Sequence, residues 1–160
     1  YDSHGNKIER SYYHSDGSLK SKNIYKYDSH GNEIKNSFYD STGNFQYKNI
    51  CKYDSDGNRI ENSYYVSGSL KSKNIYKYDS DGNEIENSFY DSDGFKRKNI
   101  YKYDSDGNEI ENSYYHSDGS LYHKKIYKYD SDGNRIEEAR YETEILMPIL
   151  FTGYIIEYYD

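Results

Sequence analysis

Tryptophan is absent, and proline, cysteine and methionine occur once each. A single cysteine excludes an internal disulfide and leaves the redox compartment open. Cys51 also stands where other copies of a repeat carry Tyr25, Tyr76, Tyr101 and Tyr127, so it reads as a structural thiol rather than a nucleophile. The sole proline is Pro148, and no stretch before it has a helical pattern. Leu, Ile, Val and Phe together number 26, about 16% of the chain, which by itself would point to disorder. No apolar run is long enough to span a bilayer, and no signal peptide is visible. The chain opens at Tyr1 in the middle of a repeat, so it reads as a piece of a longer array. Acidic side chains outnumber basic ones, 28 to 21: the net charge is -7 and the pI about 5.2, which argues against nucleic acid as a partner.

Tyrosine and regularity supply what the aliphatics do not. The 24 tyrosines are large buriable side chains. The pattern Y-D-S-x-G-N begins at residues 1, 27, 53, 78, 103 and 129, at spacings of 26, 26, 25, 25 and 26. In the copy Asp104-Ser105-Asp106-Gly107, the first Asp can bond its own backbone and Gly supplies positive φ. That fits a type I turn closed by a glycine bulge. Positive φ is therefore expected at Gly31, Gly57, Gly82, Gly107 and Gly133. A second turn lies between copies, at His14-Ser15-Asp16-Gly17, Asp40-Ser41-Thr42-Gly43, Val66-Ser67-Gly68, Asp91-Ser92-Asp93-Gly94 and His116-Ser117-Asp118-Gly119. The segments between turns alternate with period two, a strand signature.

Pairing outward from the turns predicts a register. His14 opposite Ser18 puts Tyr13 opposite Leu19 and Ile8 opposite Ile24. The same rule pairs Tyr39 with Phe45, Tyr65 with Leu70, Tyr90 with Phe95 and Tyr115 with Leu121. It also pairs Ile34 with Ile50, Ile60 with Ile75, Ile85 with Ile100 and Ile110 with Ile126. The two 25-residue repeats absorb their deletions inside the turns, because a one-residue slip would flip every side chain. One face then collects Ile, Lys, Tyr12, Phe38, Tyr64, Phe89 and Tyr114. The other collects Tyr25, Tyr27, Tyr39, Tyr76, Tyr78, Tyr90, the Leu positions and Glu33, Glu84, Glu86, Glu109 and Glu111. The expected fold is all-β: an antiparallel meander of tandem 25–26-residue hairpins over 1–142, forming a curled or spiral open sheet. Residues 143–160 are an apolar tail, read as a last strand or cap over the sheet end rather than as a membrane or partner anchor.

Tyr101-Lys102-Tyr103-Asp104-Ser105-Asp106-Gly107-Asn108, with near copies at 25, 76 and 127, resembles the YD repeat of the RHS and teneurin-like families over roughly residues 1–137. The resemblance implies a bacterial secreted or cell-surface protein whose repeats form a spiralling β-sheet shell. Such repeats are not catalytic; they enclose a cargo domain or bind surface partners, carbohydrate among them. The even spacing and Cys51 depart from the family pattern. Nothing resembles the proline-rich autoproteolytic segment that ends such a shell.

No enzyme constellation stands out. His4, His14, His30, His116 and His123 lack a metal spacing, and no strained serine elbow recurs. The Asp-rich turns lack the glycine and glutamate positions of an EF-hand, leaving weak calcium binding as the most they offer; no cofactor is expected. The reading is a non-catalytic extracellular scaffold. The alternative is an adhesion module that presents a Tyr/Glu face to carbohydrate or protein. Its candidate ligand-binding residues are Tyr25, Tyr27, Tyr76, Tyr78, Tyr101, Tyr103, Tyr127 and Tyr129, whose rings could equally fill the curl of the sheet.

Overall fold

The computed structural model describes residues 1–142 in full and the backbone of 145–153; residues 143–144 and 154–160 lie outside the described residues. The strands are β1 (Glu9–Tyr13), β2 (Leu19–Tyr27), β3 (Glu33–Asp40), β4 (Phe45–Tyr53), β5 (Arg59–Val66) and β6 (Ser69–Tyr78). They continue as β7 (Glu84–Asp91), β8 (Gly94–Tyr103), β9 (Glu109–His116), β10 (Leu121–Tyr129), β11 (Arg135–Glu142) and β12 (Ile145–Gly153). Their order in the sheet is their order in sequence, and there is no helix among the described residues. The apolar tail thus contributes a twelfth strand, paired antiparallel with β11. Pro148 is tolerated there because an edge strand leaves one side of its backbone unpaired.

The turns follow from their residues. Gly107 N–H donates to Asp104 O at 3.2 Å, and Asp104 N–H donates to Asn108 O at 3.0 Å. That is a type I turn with a glycine bulge, and Gly107 has φ 83°. Gly31, Gly57, Gly82 and Gly133 lie between 80° and 87°. The shortened turn at Val66 is different: Ser67 (φ 48°) and Gly68 (φ 87°) are both left-handed, and Val66 pairs with Ser69. Two left-handed central residues define the I′ turn, whose twist suits a two-residue hairpin.

The register differs from the sequence expectation by one residue. Tyr13 does pair with Leu19, Tyr39 with Phe45, Tyr65 with Leu70 and Tyr115 with Leu121. Beyond these pairs a second bulge intervenes, and Ile24 faces Glu9, Ile50 faces Lys35, Ile75 faces Glu61 and Ile126 faces Glu111. Ile8, Ile34, Ile60 and Ile110 are therefore not the partners. On the other turn edge Lys52 pairs with Glu61 and Tyr53 with Arg59, which leaves Ile60 as the extra residue. Ile34, Ile110 and Ile136 occupy the same position in their hairpins.

Two compact units are present, Tyr1–Ile75 with Phe89–Gly94, and Tyr76–Ser88 with Phe95 onward. In the first, one hydrogen-bonded row passes through Lys26, Lys35, Ile50, Ser63 and Lys73. In the second, a row passes through Lys102, Glu111, Ile126 and Ala139. Each step moves one residue along the strand. At roughly 3.3 Å along and 4.8 Å across, such rows cross the sheet at about 35° to the line of turns.

The bulges also re-sort the faces. Directly paired residues share a face, so in the first unit Ile24, Ile50, Lys48, Glu61, Tyr39 and Tyr65 lie on a lysine face, and in the second Ile126, Lys124, Glu111 and Tyr115 lie on one. On the opposite, asparagine face, Tyr12, Phe38 and Tyr64 join Tyr25 in the first unit and Tyr114 joins Tyr101 in the second, each among asparagines. Among the described residues Ala139 is the buried hydrophobic, and the other buried side chains are Ser37, Ser63, Ser88 and Ser113. Ala139 sits opposite Ile126, as Ser63 sits opposite Ile50. Only the smallest side chains are fully covered, because taller Ile, Lys and Tyr neighbours close over them.

Candidate functional site

The Y-D-S-x-G-N motif closes on itself. In the copy at residue 103, one carboxylate oxygen of Asp104 accepts from the backbone N–H of Asp106 (3.0 Å) and of Asn108 (2.8 Å). The other accepts from the Asn108 side-chain amide at 3.1 Å. The same trio recurs at Asp2, Asp28, Asp54, Asp79 and Asp130. These bonds favour the ionised carboxylate. At Asp104 the Asn108 side chain, then its backbone N–H, hold the carboxyl below its ordinary value.

The tyrosine that opens the motif ties adjacent repeats. Tyr27 OH donates to Lys7 O (3.1 Å), Tyr53 to Glu33 O (3.2 Å), Tyr103 to Glu84 O (3.0 Å) and Tyr129 to Glu109 O (2.8 Å). Each bond joins the end of one strand to the start of the strand before it, and so links one motif copy to the residue that follows the previous copy. Of the candidate ligand-binding tyrosines, Tyr27, Tyr103 and Tyr129 thus have their hydroxyls engaged inside the sheet. Burial raises the phenols of Tyr25, Tyr101 and Tyr127; Glu33 adds to this at Tyr25, and Glu109 at Tyr101 and Tyr127. Tyr76 and Tyr78 also have partners within the protein. Cys51 directs its thiol at Asn62 Oδ1, 3.7 Å away.

On the lysine face of each unit several charges are paired. Lys102 and Lys124 approach Glu111 at 3.2 and 2.7 Å, Lys52 approaches Glu61 at 3.0 Å and Lys77 approaches Glu86 at 3.1 Å. Lys48, Lys73 and Lys98 cap the rings of Tyr65, Tyr90 and Tyr115 at 4.6, 5.1 and 5.4 Å. Cross-strand pairs of this kind contribute roughly 0.2–1 kcal/mol each.

The asparagine face is chemically different. In the first unit a row runs through Tyr25, Asn36, Asn49 and Tyr64. Beside it Phe38 stacks on Tyr47 with ring centres 4.8 Å apart, and Tyr47 meets Tyr64 at 5.9 Å. The sequence reading passed over these asparagines. Their signal was available: Asn recurs at 23, 36, 49, 62, 74, 87, 99 and 112, mid-strand positions where it is disfavoured. Among the described residues, no three of His, Cys, Asp and Glu come together as metal ligands, and no helix is long and apolar enough to cross a membrane.

No family profile matches the chain, and no curated protein matches its sequence. Comparison with solved structures does find a similar fold. The crystal structure of TcdB2-TccC3-Cdc42 contains a stretch similar to 91% of this chain, at 15% identity and a TM-score of 0.55. This chain spans about a tenth of that one, 10% of its length. A porin-like protein from Bacteroides uniformis matches 88% of this chain and 55% of its own, at 13% identity and a TM-score of 0.42. At 15% identity the likeness to the TcdB2-TccC3-Cdc42 chain concerns the fold alone.

Proposed function

We propose that this chain is a non-catalytic scaffold: a segment of a YD-type repeat sheet from a secreted or cell-surface protein, which encloses a cargo domain or presents a surface to a partner. One observation carries the reading. The Asp, Gly and Asn of every motif copy, and the opening Tyr of at least four, are committed to bonds within the sheet. A motif that recurs because it holds one hairpin to the next has a mechanical role, and the repeats become interchangeable parts. The similarity to a stretch of the much longer TcdB2-TccC3-Cdc42 chain supports a modular use of this fold.

Interchangeability can be measured. Deleting residues 28–53, 54–78 or 104–129 joins one Tyr to the next Asp and leaves an intact motif each time. All three variants should fold, with similar losses in denaturation midpoint. Collapse of one variant while the others stay folded would point to a unique, irreplaceable site and contradict the scaffold reading.

A further inference from the structure

Two odd-numbered strands meet the strand before them through the same side chains. In β5, Glu61, Ser63 and Tyr65 pair with Lys52, Ile50 and Lys48 of β4. In β9, Glu111, Ser113 and Tyr115 pair with Lys102, Ile100 and Lys98 of β8. One lysine reaches the carboxylate, at 3.0 and 3.2 Å. The other caps the tyrosine ring, at 4.6 and 5.4 Å. The serine opposite the isoleucine is buried in both. β1 carries the same series as Glu9, Ser11 and Tyr13. Its serine donates to its glutamate at 3.0 Å, as Ser63 does to Glu61. β1, however, stands at one end of the strand order. Tyr13 is 63% exposed, whereas Tyr65 and Tyr115 are half-buried. The Glu9 side chain is 52% exposed against 21% for Glu61. Among the described residues no cation caps Tyr13, and the lysine near Glu9 is Lys22 of β2, 3.8 Å away.

The backbone of β1 is open on the same side. Ile8 O accepts from Tyr25 N–H, and His14 N–H donates to Ser18 O, so the even-numbered residues turn their backbone toward β2. Glu9, Ser11 and Tyr13 then turn their N–H and C=O groups outward. A row of unpaired groups is a template for a further strand, and the side chains specify which strand fits. Glu9 calls for a cation, the Tyr13 ring for a second cation over its face, and Ser11 for a branched apolar neighbour between them. We propose that the outer edge of β1 docks an extended segment of a second polypeptide with the pattern Lys-x-Ile-x-Lys. The segment adds antiparallel to the sheet, its first lysine opposite Tyr13, its isoleucine opposite Ser11 and its second lysine opposite Glu9. This goes beyond the scaffold reading, which stands or falls separately on the interchangeability of repeats.

Backbone NMR signals of β1 read the edge directly. The probe is the synthetic peptide Leu-Lys-Ser-Lys-Asn-Ile-Tyr-Lys-Tyr, the sequence of residues 70–78. It is titrated into the whole chain to about 5 mM, past the range of millimolar affinity. The Glu9, Ser11 and Tyr13 signals should shift saturably, and their amides should exchange more slowly. A peptide carrying Lys73→Glu and Lys77→Glu should bind about tenfold or more weakly, because it loses both cations and sets like charges opposite each other. Glu9→Lys in the chain should weaken the parent peptide and strengthen the peptide carrying Lys77→Glu alone. Tyr13→Ser, at an exposed ring, should weaken the parent peptide severalfold. Unchanged signals from β4 and β5 confirm that each variant is folded. The proposal is overturned if no β1 signal shifts, if the doubly acidic peptide binds as well as the parent, or if Glu9→Lys leaves the peptide preference unreversed. A chain that is dimeric by itself, with these three amides already protected, would give the edge to a second copy and overturn it as well.

Discussion

Ser63→Leu should be among the most destabilising single substitutions in the sheet. Ser63 is 1% exposed and pairs directly with Ile50 on one side and Lys73 on the other. Its hydroxyl donates to Glu61 at 3.0 Å. Leucine brings two extra heavy atoms beyond Cβ's first substituent into a space already closed by its neighbours. Overpacking of that kind costs about 1–3 kcal/mol. Ser63→Ala removes a hydrogen bond but fits, since alanine occupies the corresponding place at Ala139, 3% exposed; the loss should stay below about 1.5 kcal/mol. Urea midpoints of the two variants provide the comparison. A leucine variant as stable as the alanine one would mean that the neighbours do not close over the row.

Acid should unfold the protein through its turns. Side-chain and backbone bonds from Asn108, Asn83 and Asn6 lower the carboxyls of Asp104, Asp79 and Asp2. At Asp28 and Asp130 the backbone N–H of Asn32 and of Asn134 leads. A carboxyl lowered in the folded state adds stability that is complete above its unfolded value, about 3.9, and is lost as the pH falls through the folded value. Glu33 acts in the opposite sense, since burial raises it. The turn aspartates are exposed, so solvent screens each contribution, but the motif repeats the effect at every copy. The thermal midpoint should be nearly flat above about pH 5 and fall steeply below about pH 4. A midpoint unchanged down to about pH 2.5 would show that the carboxylates do not hold the turns.

The turns and the strand count were legible because their chemistry is local. Asp, Gly and Asn each have a conformational reason for their place in the hairpin loop. The Tyr13 and Leu19 type of pair was legible too, one residue out from the turn. The second bulge was not, because nothing in its residues marks it. Its extra residues Lys20, Gln46, Lys71 and Tyr122, like Ile34, Ile60, Ile110 and Ile136 beyond the other turns, adopt no positive φ, so no glycine is needed and each reads like any strand residue. A bulge of this kind serves the twist of the hairpin, a property of the pair rather than of either strand. Missing these bulges moved the Tyr12, Phe38 and Tyr64 rings to the wrong side. It thereby concealed the meeting of Tyr25 with Asn36 and of Asn49 with Tyr64.

Both faces depend on the one-residue stagger, and cysteine pairs test it most directly. In a Cys51→Ser background, Glu61→Cys/Ile75→Cys places two cysteines directly opposite each other across β5 and β6. Ile60→Cys/Ile75→Cys offsets them by one residue, with side chains poorly directed for a disulfide. Under mild oxidation the 61/75 pair should crosslink readily within the folded chain and the 60/75 pair should remain reduced. Crosslinking of 60/75 in preference to 61/75 would contradict the staggered register and the face assignments built on it.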